Sequence, residues 1–309
     1  MRKLIWAVVA AAMLSWGSQG ARAAEMGLYA GPGCYGLTHL TQYAGWLGAP
    51  AHHVTENFDQ RSWADLVSDS EWSIKCYAAI RSTTGFTFSI PMLPADGVST
   101  LAKGAAGDYD HIFTQIAKTL VANGFATTTV RLGWEFNGNW QPWSSYKDNA
   151  HFVGFYQRIV TLMKSVAGAR FAFEWCPNLG TGTLAPDRSY PGDDFVDVVG
   201  MDVYDGHWSA IDATPEKRWA FFVARDHGLQ WQVDFAKAHG KRYSFPEWGC
   251  CGDDTGDDPY FINHMAEWLK SNGYFYADYW DSNTAYRGDL MDGQYPKAAA
   301  AYIADFGTQ

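Results

Sequence analysis

The chain has 309 residues, 47% of them hydrophobic and 18% charged, with a formal net charge of −10. That length can bury a full-sized core in one large domain, and the composition is that of a globular protein. The acidic balance repels phosphate, which argues against nucleic acid as a partner, and no stretch of the body reaches the roughly 20 apolar residues that span a bilayer.

The first residues read as a secretory signal peptide. Arg2 and Lys3 make a positive start, Leu4 to Trp16 is nearly all apolar, and Ala21-Arg22-Ala23 offers small residues for cleavage. Removal of 1–23 takes away Arg2, Lys3 and Arg22, so −10 becomes −13 for a secreted or periplasmic chain of residues 24–309. Its surface suits an uncharged partner, and a monomer is expected.

Eight β-rich runs follow in chain order: Met26–Gly31, His53–Asp59, Gly85–Met92, Thr128–Glu135, Arg170–Trp175, Val196–Tyr204, Arg242–Glu247 and Gly273–Trp280. Helical spacing fills the gaps, as in Asp110–Asn123 (Ile112, Ile116, Leu120) and Asn149–Val166 (Phe152, Phe155, Ile159, Met163). Strict alternation of strand and helix predicts a single-domain (β/α)8 barrel, whose chemistry sits at the C-terminal ends of the strands. Of Cys34, Cys76, Cys176, Cys250 and Cys251, the first two are expected to pair, and the odd number leaves the rest open.

Two strand ends carry a carboxylate. In the fourth run, two-residue alternation puts Arg131, Gly133 and Glu135 on one face, with Glu135 leading into a loop and flanked by Trp134, Trp140 and Trp143. In the seventh, Tyr243, Phe245 and Glu247 share a face just before a Gly-rich loop. Exposed aromatic faces stack on sugar rings, and glycoside hydrolysis needs a carboxyl pair, one to protonate the leaving oxygen and one to attack or stabilise the anomeric carbon. Asp202 is expected either to touch a sugar hydroxyl or to support Arg131, Asn137 either to bind sugar or to shape its turn, and His207 and Trp208 to border a subsite. Glu174 is the rival carboxylate and reads as structural.

These residues resemble the clan-A retaining glycosidases, and within them glycoside hydrolase family 26, the β-mannanase family. The resemblance rests on Arg131 to Trp143, Trp175-Cys-Pro-Asn178, Gly200-Met-Asp-Val-Tyr204 and Pro246-Glu-Trp-Gly249. It implies Glu135 as acid/base, Glu247 as nucleophile, Tyr204 as hydrogen-bond partner of the nucleophile and Trp280 as a sugar-stacking floor. Arg131, Trp134, Asn137, Trp140, Trp175, Asp202 and Trp208 complete the expected sugar-binding set, with no cofactor and no metal. Mannanases of the family usually carry His before the acid/base, where this chain has Trp134. The expected reaction is therefore retaining, endo-acting cleavage of β-linkages in β-mannan, β-1,3-xylan, mixed-linkage glucan or a bacterial exopolysaccharide. For a retaining enzyme the two carboxyls stand about 5–5.5 Å apart.

Three other readings compete. Gly31-Pro-Gly-Cys-Tyr-Gly36 matches a dinucleotide fingerprint, with Glu56 placed as the ribose-binding acid, although Pro32 removes one phosphate-cradling N–H. A barrel that binds carbohydrate without cleaving it is a second alternative. Asp253 to Asp258 could hold a cation, but lacks EF-hand spacing and reads as a solvated turn.

Overall fold

In the computed structural model, residues 25–207, 212–252 and 254–308 are described; the expected signal peptide, Trp208 and Asp253 lie outside them. Strands one to five are Glu25–Tyr29, His53–Asn57, Gly85–Ile90, Thr129–Leu132 and Ala172–Trp175. The sixth is interrupted, Val198–Gly200 then Val203–Tyr204, and Arg242–Gly249 and Tyr276–Trp280 are the seventh and eighth. All pairings are parallel, and strand eight returns to strand one in the register Tyr29↔Trp280, which closes the barrel.

Alternation along the strands sorts two environments. Val54, Phe88, Val130, Phe173 and Val199 are buried among the apolar residues that pack between sheet and helices. The opposite face fills the barrel with polar groups bonded across it. His53 on strand two meets Asp278 on strand eight at 2.7 Å, and Glu174 on strand five accepts from Ser244 on strand seven and from Tyr276 on strand eight. Buried polar groups persist only when partnered in this way. Glu174 is thus an interior strut, below the mouth of the barrel.

The helices expected over Asp110–Asn123 and Asn149–Val166 are observed as Asp110–Ala122 and Asn149–Lys164. Among the described residues no helix is long and apolar enough to cross a membrane. Cys34 and Cys76 form a disulfide, the adjacent Cys250 and Cys251 form a second, and Cys176 is free and buried.

Two face assignments need correction. Strand four stops at Leu132, and Gly133 and Glu135 take left-handed conformations (φ 50° and 53°), so Glu135 stands in a turn and not on a continued strand face. In strand seven, two residues, Pro246 and Glu247, oppose the single Asp278 of strand eight between the pairs Phe245↔Ala277 and Trp248↔Tyr279. This bulge spans Pro246, which has no N–H to give the ladder. Phe245 therefore stacks on Tyr274 outside the barrel, while Glu247 reaches inward to strand-four Arg131. Without the bulge, simple alternation would have left Glu247 in the helix layer.

Candidate active site

Glu247 reaches the barrel mouth held by three side chains. Arg131 donates to its Oε1 in an ion pair, Asn57 Nδ2 donates to the same oxygen at 2.9 Å, and the Tyr204 hydroxyl donates to Oε2 at 2.6 Å. Arg131 lies wholly inside the barrel. Its Nη1 meets both oxygens of Asp202 at 2.8 and 3.0 Å, its Nε donates to Ser89 at 2.8 Å, and its Nη2 also donates to Asn57 Oδ1 at 2.8 Å. Burial opposes the guanidinium charge, but Asp202 and Glu247 together hold its pKa well above the ordinary value. One buried cation thus bridges two carboxylates and orients the upper one.

Glu135 is placed by the turn after strand four, where its N–H donates to the Cys176 carbonyl at 2.8 Å. Its Oε1 accepts from Asn178 Nδ2 at 2.8 Å and its Oε2 from Trp140 Nε1 at 2.7 Å. Enclosure in the low-dielectric wall, and next the charge of Glu247, push its pKa up, while the two donors pull against that shift. A raised carboxyl keeps its proton nearer to neutrality, as an acid catalyst requires. The two glutamates line one cavity of about 640 Å3, walled by Trp134, Trp140, Tyr204, Trp280 and Tyr286 and by polar groups including Asn57, Asn178, His207 and Asp254.

The structure separates the expected sugar-binding residues. Trp134, Trp140, Tyr204 and Trp280 line the cavity, with Trp140 the most open at 52% exposed. Trp280 stacks on Tyr29 at 4.1 Å with a 5° interplanar angle, so one of its faces is already covered. Trp134 lies over the Arg131 guanidinium, 5.1 Å from it, and packs on Trp143 at 4.8 Å.

Arg131, Asn137, Asp202 and Trp175 do not reach the cavity, which corrects the expected sugar contact of Arg131 and Trp175, removes that alternative for Asn137, and for Asp202 leaves the expected support of Arg131. Asp202 is consumed by Arg131, and Asn137 bonds the backbone of Asn178 and Gly180. Trp175 faces the helices, against Phe136 and Phe235. Each is fully buried.

The glycine fingerprint is also accounted for. The Gly33 N–H that would meet a phosphate donates to Glu56 Oε1 at 3.1 Å, and Cys34 is in its disulfide. The carboxyl of Glu56 is buried, its pKa pushed up to about 8, and not available to a ribose. Within the acidic run, Asp258 caps a helix and pairs with Arg218, Asp257 accepts from Lys297 and Ala298 N–H, and Asp254 accepts the His207 N–H at 2.9 Å.

Asn57, Asn178 and Tyr286 were missed as site residues. Asn57 had a usable signal, a polar residue closing a barrel strand. Asn178 closed one of the motifs quoted above, whereas Tyr286 sits in a loop whose sequence points nowhere.

Residues 96–243 match the sequence profile of Glycosyl hydrolase family 26. This chain resembles that family. The matched span contains Glu135, Asn178 and Tyr204 but stops before Glu247. A mannan endo-1,4-β-mannosidase of Bifidobacterium adolescentis is 30% identical over 152 residues, which are 45% of this chain and 14% of that protein. The chain therefore spans about one seventh of that relative's length. Among solved structures, a Cellulomonas fimi endo-β-1,4-mannanase double mutant superposes with a TM-score of 0.67 at 18% identity, covering 93% of this chain and 72% of that one. The catalytic domain of a Bacillus sp. JAMB-750 endo-β-1,4-mannanase of family 26 gives 0.62 at 17% identity, covering 93% and 88%. These likenesses establish the shared (β/α)8 barrel.

Proposed function

We propose that this protein is an exported, retaining, endo-acting glycoside hydrolase that cleaves β-linkages in an uncharged polysaccharide, with β-1,4-mannan the first substrate to test. The observation that carries the reading is the asymmetry of the two carboxyls on one cavity. Glu247 has Arg131, Asn57 and Tyr204 donating to it, whereas burial and the charge of Glu247 raise the pKa of Glu135.

In this reading Glu247 attacks the anomeric carbon while Glu135 delivers its proton to the departing glycosidic oxygen. Glu135, now ionised, then takes a proton from a water whose oxygen attacks the anomeric carbon, breaking its bond to Glu247 and releasing the sugar. Trp134, Trp140 and Trp280 offer apolar surface to sugar rings. No Lys or Arg is among the described residues that line the cavity, while Glu135, Asp205, Glu247 and Asp254 are. That balance disfavours polysaccharides rich in uronic acids. The names of the relatives support mannan and internal cleavage; Trp134 is what keeps β-1,3-xylan and mixed-linkage glucan in the test.

The test measures reducing ends and viscosity with mannan, β-1,3-xylan, mixed-linkage glucan and a neutral exopolysaccharide, for wild type and Glu247→Ala. Turnover by the wild type, abolished in the variant, is expected. Proton NMR of the first product should show the β-anomer; the α-anomer would mean inversion and remove Glu247 as nucleophile. Binding of a glycan by the wild type without turnover would leave a carbohydrate-binding barrel instead.

A further inference from the structure

Tyr286, in the loop after strand eight, connects three walls of the cavity. Its hydroxyl donates to the Asp205 carbonyl, after strand six, at 2.8 Å, and accepts from the Gly252 N–H, after strand seven, at 2.8 Å. Its ring centroid lies 4.5 Å from that of Tyr204, whose hydroxyl reaches Glu247. The ring occupies a slot that glycines leave open on three sides. A Cβ at Gly252 would come within 2.7 Å of the Tyr286 ring, one at Gly288 within 3.2 Å and one at Gly249 within 3.3 Å. Immediately before Gly252, Cys251 holds a left-handed conformation (φ 78°) and is bonded to Cys250, a local bend that aims the Gly252 N–H at the phenol.

Tyr204 needs such a neighbour. It ends a strand segment of two residues, Val203–Tyr204, and its other aromatic contact among the described residues is an edge-on one with Trp280, ring centroids 6.3 Å apart. An ångström of drift in a positioning group costs rate out of proportion to its size. The loop after strand seven also brings Asp254 to the cavity, where it holds the His207 N–H, so releasing Gly252 loosens that polar wall.

We propose that Tyr286 is a positioning residue of this site, whose ring keeps the Tyr204 phenol on Glu247 and whose hydroxyl pins the walls after strands six and seven around the sugar. The proposal rests on Glu247 being the nucleophile. Its two parts predict different kinetics. Loss of the ring acts through Tyr204 and lowers kcat; loss of the hydroxyl alone slackens the walls and raises KM.

The experiment compares Tyr286→Ala, Tyr286→Phe, Tyr204→Phe and the double variant Tyr204→Phe/Tyr286→Ala on β-1,4-mannan, or on whichever of the four glycans the wild type hydrolyses fastest. Tyr286→Ala should lose about 10- to 100-fold in kcat, the scale of one hydrogen bond to a charged group, and lose little more in the Tyr204→Phe background. Tyr286→Phe should recover most of that kcat while KM stays several-fold above wild type. Losses that multiply in the double variant, or a Tyr286→Phe enzyme no better than Tyr286→Ala, would overturn the proposal. If Tyr286→Ala does not fold, the KM increase in Tyr286→Phe without an equal fall in kcat is the deciding result, and its absence overturns the role of the hydroxyl. If the wild type cleaves none of the glycans, the enzymatic reading fails by itself, and a crystal structure of Tyr286→Ala then decides the positioning role: Tyr204 still bonded to Glu247 refutes it, a displaced ring supports it.

Discussion

The indole N–H of Trp140 donates to Glu135 at 2.7 Å although the ring is half exposed. A donor to a carboxylate stabilises its charged form, so this bond lowers the pKa of Glu135 against the upward push of burial and Glu247. Trp140→Phe removes the donor and keeps an aromatic surface. The pKa of Glu135 should rise, and the alkaline limb of the kcat/KM profile, which reports loss of the acid's proton, should move to higher pH. A limb that stays in place or moves to lower pH would separate Trp140 from the titration of Glu135.

Arg131 and Asp202 form a buried pair beneath Glu247, both wholly enclosed. Asp202→Ala leaves the guanidinium short of one carboxylate and should destabilise the protein by about 3–5 kcal/mol in urea unfolding. The apolar pair Arg131→Met/Asp202→Leu should recover part of that loss, since no unpaired guanidinium remains, and only part, since Glu247 keeps its charge without a cation. It should stay inactive, because Glu247 has lost its cation. Full activity in the double variant would show that Arg131 serves only the fold.

Trp134→His installs the residue usual in mannanases of the family. It uncovers the Arg131 guanidinium and breaks the packing on Trp143, so a loss of about 2 kcal/mol is expected from the smaller side chain. The ratio of kcat/KM between mannan and mixed-linkage glucan should shift toward mannan. An unchanged ratio would mean that Trp134 serves packing and not sugar choice.

His39, in the helix Gly33–Leu47, contacts Asp281, just past strand eight, at 2.7 Å. The bond to Asp281 raises the imidazole pKa above 6.5 despite opposing desolvation. With the folded pKa above the unfolded one, the stabilisation is fully present below the unfolded pKa and fades as pH rises through the folded value. Between pH 5.5 and 8.5 the wild type should therefore lose more Tm than His39→Gln. Parallel pH curves for the two proteins would count against the linkage.

Much of the barrel is legible in the sequence because its signals are local. Each of the eight expected β-rich runs overlaps an observed strand, and the helix ends fall within two residues of expectation at Ala122 and Lys164. The carboxylates were found by their position near strand ends among aromatic residues. Their faces differ from those expected, because alternation assumes an unbroken strand. A left-handed turn carries Glu135, and a bulge at Pro246 turns Glu247 inward.

The order of strands and helices, the acidic charge and the two glutamates near strand ends are all local properties, which follow from periodicity and residue type over a few positions. Which of these residues meet is set by the folded barrel. Asp202 is bound to Arg131 and Asn137 to backbone, Glu56 fills the site a phosphate would need, Cys250 pairs with Cys251, and Tyr286 joins three loops. Most of these contacts link residues tens of positions apart, and closure of the barrel is what brings them within hydrogen-bonding distance. A local pattern in the chain carries no trace of that distance.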